Sequence, residues 1–227
     1  MNDITIACIF DLDGVLVDTA VYHYQAWKKL ANSMGFDFSH AQNEQLKGVN
    51  RMRSLDMILN WGGITKTDAE KEELAGLKNS WYVEMISKMS ATEVLPGTLE
   101  LLQELQNQGI KMALGSASKN SGLILERTNL AHFFDAVVDG NSVTTSKPDP
   151  EVFVKGAELL NTPAASCIVF EDAAAGVQAA LAAKMAVVGI GEAENLPGAD
   201  RIIKDLAGIS VAELKELIID KAGQNIA

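Results

Sequence analysis

The chain has 227 residues, 48% hydrophobic and 22% charged, enough for one α/β domain with an inserted lobe and too ordinary for a disordered or fibrous class. A formal net charge of −11, from 19 basic and 30 acidic side chains with no basic patch, argues against nucleic acid and anionic membranes as partners. No leader-like segment opens the sequence and no window approaches the ~20 apolar residues of a membrane span, so a cytoplasmic protein is expected.

Residues 4–10 form a continuous apolar, β-branched run of strand length, the pattern of a strand buried on both faces of a parallel sheet. Asp11-Leu12-Asp13-Gly14 follows directly, at the carboxyl end where open α/β sheets bind ligands. In extended chain Asp11 and Asp13 point the same way, and two adjacent carboxylates call for a cation or a proton. The plain alternative is a turn, since Asp and Gly are turn formers.

Between 17 and 91 there is no convincing strand. Trp27, Leu30 and Met34 follow His23 at helical spacing, and Leu74, Leu77, Trp81 and Met85 form a second apolar stripe on a helix that Thr67 and Glu70 would cap. This segment reads as an inserted helical cap, with 92–97 as the return hinge. Beyond it helix and strand alternate: helix 99–108, strand 110–115, helix 122–128, strand 136–138, helix 151–160, strand 167–170, helix 174–183, strand 186–190 and a weaker strand 201–203. Such alternation means a parallel sheet with helices on both faces. Cys8 and Cys167 lie inside strand runs and read as buried, reduced thiols.

Polar residues punctuate the strand ends. Ser116 follows strand 110–115, Lys147 precedes Pro148, and Glu171-Asp172 follows strand 167–170. Each has a plain structural reading: Ser116-Ala117-Ser118 as a helix cap, Lys147 as a solvated loop lysine, and Glu171-Asp172 as favourable charge at a helix N-terminus. Gly189-Ile190-Gly191 lacks the third glycine of a dinucleotide loop, where Glu194 stands, and His40 and His132 have no companions at metal-ligand spacing.

Taken together, Phe10-Asp11-Leu12-Asp13-Gly14-Val15-Leu16-Val17-Asp18-Thr19, then Ser116, Lys147 and Glu171-Asp172 in that order, resemble the four-motif signature of the haloacid dehalogenase superfamily. The resemblance implies an α/β fold whose Rossmann-like parallel-sheet core, with helices on both faces, comprises 1–16 and 92–227, with an α-helical cap domain inserted at 17–91. It also implies Mg²⁺-dependent phosphoryl transfer. Asp11 would be the nucleophile, forming an aspartyl phosphate, and Asp13 the general acid and base. Ser116 and Lys147 would bind and neutralise the transferring group, with Asp11, Asp13 through its carbonyl, Glu171 and Asp172 holding the metal.

Three segments are more narrowly similar to the β-phosphoglucomutase family: 18–27, 45–51 and 115–120. Carried over by position, Thr19, His23 and Trp27 would line the hinge end of the substrate site, with His23 hydrogen-bonding near Asp13. Leu46, Lys47, Gly48, Val49, Arg51 and Ser54 would form a specificity loop, with Arg51 clamping the phosphate that is not transferred. Lys78 would contact the sugar, and Ala117, Ser118, Lys119 and Asn120 its phosphate and hydroxyls. Asn50, Met52-Arg53 and Ala173 depart from the family pattern. The implied partners are a hexose phosphate and a hexose bisphosphate intermediate, in a monomer that interconverts β-D-glucose 1-phosphate and D-glucose 6-phosphate. The alternatives are a Mg²⁺-dependent sugar-phosphate phosphatase on the same fold, and a non-catalytic binding protein, which the intact Asp11, Asp13, Lys147 and Asp172 disfavour.

Overall fold

A computed structural model describes residues 5–224. Six parallel strands, β1 (Ala7–Phe10), β2 (Lys111–Gly115), β3 (Ala136–Val138), β4 (Cys167–Glu171), β5 (Ala186–Ile190) and β6 (Arg201–Ile203), lie in the order β3-β2-β1-β4-β5-β6. All six expected strands form; β1 is shorter than the 4–10 run, whose first residue lies outside the described ones, and β4 extends through Glu171.

The apolar runs have no polar face because both sides of the sheet are covered. Cys8, Phe10, Met112, Leu114, Ile168 and Phe170 face one layer, formed by α5 (Thr98–Asn107), α6 (Ser121–Arg127) and α9 (Val211–Gln224). Ile9, Ala113, Cys167, Val169 and Val187 face the other, formed by α7 (Glu151–Leu159) and α8 (Ala174–Ala182). Phe10 and Phe170, register partners on adjacent strands, stack at 4.4 Å. Cys8 and Cys167 are buried free thiols. The helix α9 has no counterpart among the sequence expectations.

Between β1 and α5 the described residues hold helices and turns: α1 (Ala20–Ser33), α2 (His40–Glu44), α3 (Arg51–Trp61) and α4 (Asp68–Ile86). They build their own apolar cluster from Trp27, Leu30, Phe38, Leu55, Ile58 and Leu59, apart from the two sheet layers. Thr67 and Glu70 do form the capping box of α4. The chain leaves and re-enters the sheet region side by side: Val17 bridges Val94, Asp18 N–H donates to Glu93 C=O (2.9 Å) and Leu95 N–H to Leu16 C=O (3.0 Å).

One expected face is wrong. The buried side of α4 runs through Ala75, Lys78, Tyr82 and Ile86, whereas Leu74, Trp81 and Met85 are half-buried and Leu77 is 43% exposed. Lys29 lies over the Trp81 ring at 4.1 Å and covers its outer side, and a buried lysine takes a position that an apolar stripe would claim.

Candidate active site

The chain order runs from β1 outward through β2 to β3, then crosses to β4 on the other side of β1. The carboxyl ends of β1 and β4 therefore form the switch-point crevice of the sheet. Asp11 N–H donates to Phe170 C=O (3.0 Å), placing Asp11 beside the end of β4. After it the chain turns sharply: Leu16 and Val17 N–H both bond Leu12 C=O (3.0 and 3.2 Å) and Gly14 N–H bonds Val17 C=O (2.9 Å). Gly14 has φ +83°, and a Cβ there would stand 2.2 Å from Asp172 Oδ2. Glycine is required twice over, by the left-handed backbone and by the carboxylate packed against it.

Lys147 is 4% exposed, and its Nζ lies 2.6 Å from Asp11 Oδ1 and 2.5 Å from Glu171 Oε1. Burial works against the ammonium, but the two carboxylates outweigh it and raise its pKa above the usual lysine range. The solvated-loop reading of Lys147 is thereby overturned. Glu171 also accepts from Ala173 N–H (3.0 Å), at the start of α8, so the helix-terminus reading of its charge is compatible with its place in the site. The helix-cap reading of Ser116 fails: α6 begins at Ser121, and the fully buried Ser116 Oγ accepts from Ser118 N–H (3.1 Å).

Above this floor is a cavity of ≈ 440 Å³. Asp11, Asp13 and Asp172 line it from the sheet side together with Ala117, Ser118, Lys119 and Asn120, while Thr19, His23, Trp27, Leu46, Lys47, Gly48, Val49, Arg51, Ser54 and Lys78 line it from the helical segment. Ser116, Lys147 and Glu171 lie beneath the lining, reaching the cavity through the residues they hold.

Asp13 accepts from the Thr19 hydroxyl. Burial, with the neighbouring Asp11 charge, pushes its pKa up to about 6. His23 bonds close by: its Nδ1 lies 3.1 Å from Lys78 Nζ, whose charge acts on Asp13, and its ring is tilted against Tyr82. Thr19 is the residue that bonds Asp13. Lys78, 2% exposed, has its Nζ 4.5 Å from the Trp27 ring centroid and 4.6 Å from that of Tyr82. Burial, then the charge of Arg51, lowers its pKa to about 7. Burial and these same cations keep His23 neutral, well below its ordinary value.

Asp172 is raised above the usual carboxylate range by burial and by Asp11, with Lys47 pulling the other way from 3.4 Å. Among the described residues no three His, Cys, Asp or Glu side chains gather as a ready ligand group; lysines supply the counter-charges instead. The donor chemistry nonetheless fits a hard divalent cation, because Asp11 and Asp172 present carboxylate oxygens to one cavity and repel each other there.

Several lining residues were not singled out from the sequence. Asn43, Asn79, Tyr82, Thr144, Thr145 and Ser146 all line the cavity. Asn79 Oδ1 accepts from Asn120 Nδ2 (3.0 Å), and Asn50 Nδ2 donates to Ser146 Oγ (2.8 Å), both bonds joining the helical segment to the sheet side. Nearness to Lys147 was the available signal for 144–146, and nearness to Lys78 for Asn79.

Residues 8–190 match the family model described as haloacid dehalogenase-like hydrolase. The chain is 42% identical over 212 residues to the β-phosphoglucomutase of Bacillus subtilis, covering 92% of this chain and 94% of that one. It is 32% identical over 182 residues to a phosphorylated carbohydrates phosphatase of Thermotoga maritima, covering 78% and 81%. A crystal structure of β-phosphoglucomutase from Clostridium difficile superposes with a TM-score of 0.92 at 39% identity, covering 96% of this chain and 99% of that one.

Proposed function

The chain belongs to the haloacid dehalogenase-like hydrolase family, and from that premise we propose that it is a β-phosphoglucomutase interconverting β-D-glucose 1-phosphate and D-glucose 6-phosphate. The observation that carries this is one cavity with cationic groups on opposite sides: Lys147 under Asp11, with Lys47 beside Asp172, on the sheet side, and Arg51 at the start of α3 on the facing helical segment. A substrate whose two ends carry phosphate in turn needs both. Residues 17–91 are the cap of the same proposal and 1–16 with 92–227 its catalytic core, a division supported by the separate apolar cluster and the bridge between Val17 and Val94. The buried free thiols support a reducing, cytoplasmic setting.

Asp11 carries the phosphoryl group as an aspartyl phosphate. The substrate C6 hydroxyl attacks phosphorus as the bond to Asp11 breaks, and Asp13 accepts the hydroxyl proton. A carboxyl titrating at about 6 is suited to both taking and returning that proton near neutrality. The bisphosphate then presents its C1 phosphate to Asp11, and Asp13 protonates the departing C1 oxygen. Lys147 neutralises charge at Asp11 throughout, Ser116 from beneath the lining fixes the 116–118 turn that faces the phosphoryl group, and Arg51 holds the distal phosphate. Mg²⁺, when held by Asp11, Asp172 and the Asp13 carbonyl with Glu171 behind them, supplies charge neutralisation for the transferring group.

The test is a coupled assay for glucose 6-phosphate from β-glucose 1-phosphate with a bisphosphate primer, run beside phosphate release. Glucose 6-phosphate is the expected product; phosphate release alone would make the enzyme a sugar phosphatase. Arg51→Ala should lower mutase kcat/KM by about 30-fold to 1000-fold, and at least about tenfold more than it lowers acetyl phosphate hydrolysis, because the small ester has no distal phosphate. An equal fall in both would remove Arg51 as the distal clamp.

A further inference from the structure

A mutase must keep water from its phosphorylated aspartate, so the cap must stay shut while the bisphosphate turns over. The Asn50 side chain is placed to do this. It is the N-cap of α3, its Oδ1 accepting from Arg53 N–H (3.0 Å), and so fixes the first turn of the helix that begins with Arg51. Its Nδ2 meanwhile donates across the cavity mouth to Ser146 Oγ (2.8 Å). Ser146 stands on a firm post. The preceding Thr144 and Thr145 N–H groups, with the Thr144 hydroxyl, all bond Glu151 Oε2 in the first turn of α7 (2.9, 2.7 and 2.9 Å), and the following residue is Lys147. One amide therefore couples the start of the Arg51 helix to the loop that carries Lys147.

We propose that Asn50 is a positioning residue that latches the cap onto Ser146 and thereby sets the ratio of phosphoryl transfer to hydrolysis. This rests on the mutase reading of the site. With the latch broken, water enters: its oxygen bonds phosphorus as the bond to Asp11 breaks, the Asp11 carboxylate leaves, and Asp13 takes the proton. The other amide crossing, Asn79 to Asn120, involves a substrate-lining residue, and its loss would not separate binding from closure. Asn50 and Ser146 also line the cavity, but neither is among the residues expected to hold the substrate, and amide exchange in the substrate-free protein reads closure apart from binding.

The experiment compares the full-length enzyme with Ser146→Ala, Ser146→Thr, Asn50→Ser and the double variant Asn50→Ser/Ser146→Ala. Serine keeps the N-cap of α3 but is too short to span to Ser146. Phosphate and glucose 6-phosphate are measured together from β-glucose 1-phosphate with a bisphosphate primer. The ratio of phosphate to glucose 6-phosphate should rise about threefold to tenfold in Ser146→Ala and in Asn50→Ser, the worth of one neutral hydrogen bond. Ser146→Thr should restore it, and the double variant should be no worse than either single. An unchanged ratio, or a double effect equal to the product of the singles, overturns the latch. Hydrogen exchange separates this from failure of the mutase reading. If the wild type releases only phosphate, amides 49–52 should still exchange faster in Ser146→Ala than in wild type, and equal exchange removes the latch whatever the reaction.

Discussion

Lys78 shows how function is set against stability at a single residue. Its ammonium is buried between the Trp27 and Tyr82 rings, with neutral His23 as its polar neighbour. Folding lowers its pKa from 10.5 to about 7. Below about pH 7 the group is charged in both states and the folded protein bears the full desolvation cost. From about pH 7 to 10.5 the unfolded chain alone binds the proton, so this cost falls as pH rises. Lys78→Met should therefore stabilise the protein by a few kcal/mol below pH 7, less what the two aromatic faces return, while lowering mutase activity. Thermal unfolding at pH 6, 8 and 9.5 checks this, and a gain independent of pH would remove the buried charge as its cause. A second residue-scale outcome concerns the metal. Asp172 lines the cavity while Glu171 lies beneath it, held by Lys147. Asp172→Ala should weaken Mg²⁺ binding by at least about tenfold and Glu171→Gln by clearly less, measured by calorimetry on the substrate-free protein. Equal losses would reverse that ranking.

At the scale of elements, the junction before α5 is tightly constrained. Gly97 caps α5 at φ +80°, and a Cβ on it would fall 1.9 Å from the Ala207 backbone nitrogen. Gly97→Ala should cost more than about 2 kcal/mol, read as a lowered denaturation midpoint, because neither the backbone angle nor the facing main chain can give. Undiminished stability would mean that the junction rearranges. Elements of this kind were unevenly legible. The strands could be read because β1, β4 and β5 are buried on both faces and carry no polar interruption. The α4 helix could be placed, but its inner face could not, since Lys78 occupies the interior and Leu77 the outside. In the site, Asp11, Asp13, Lys147 and Asp172 stood out through motif order. Ser146 and Asn79 did not, because a loop serine and a helical asparagine acquire meaning only from what the cap brings opposite them.

For the whole molecule, the two segments that join the helical part to the sheet run side by side. Two backbone hydrogen bonds tie them, Asp18 to Glu93 and Leu95 to Leu16, and together these make the Val17–Val94 bridge. On the mutase reading this pairing would serve as a hinge that returns the 46–51 loop to the same place at each closure. Leu95→Pro deletes the donor to Leu16 and should increase phosphate release relative to glucose 6-phosphate, with the far-ultraviolet circular dichroism of a folded chain. An unaltered product ratio would show that the hinge does not govern closure.

The loop of the cap comes to rest at Gly48, where an added Cβ would meet only the methyl groups of Ala173 and Ala175, at 3.3 and 3.7 Å. Two of the three surfaces that touch there are bare methyls and the third is backbone with no side chain. At this spot the loop and the sheet side meet through shape alone, while one residue away Lys47 pairs with Asp172 at 3.4 Å. The fastening beside this dry contact is the Lys47–Asp172 pair, so any lifting of the loop would free a lysine and a carboxylate of the cavity at the same moment.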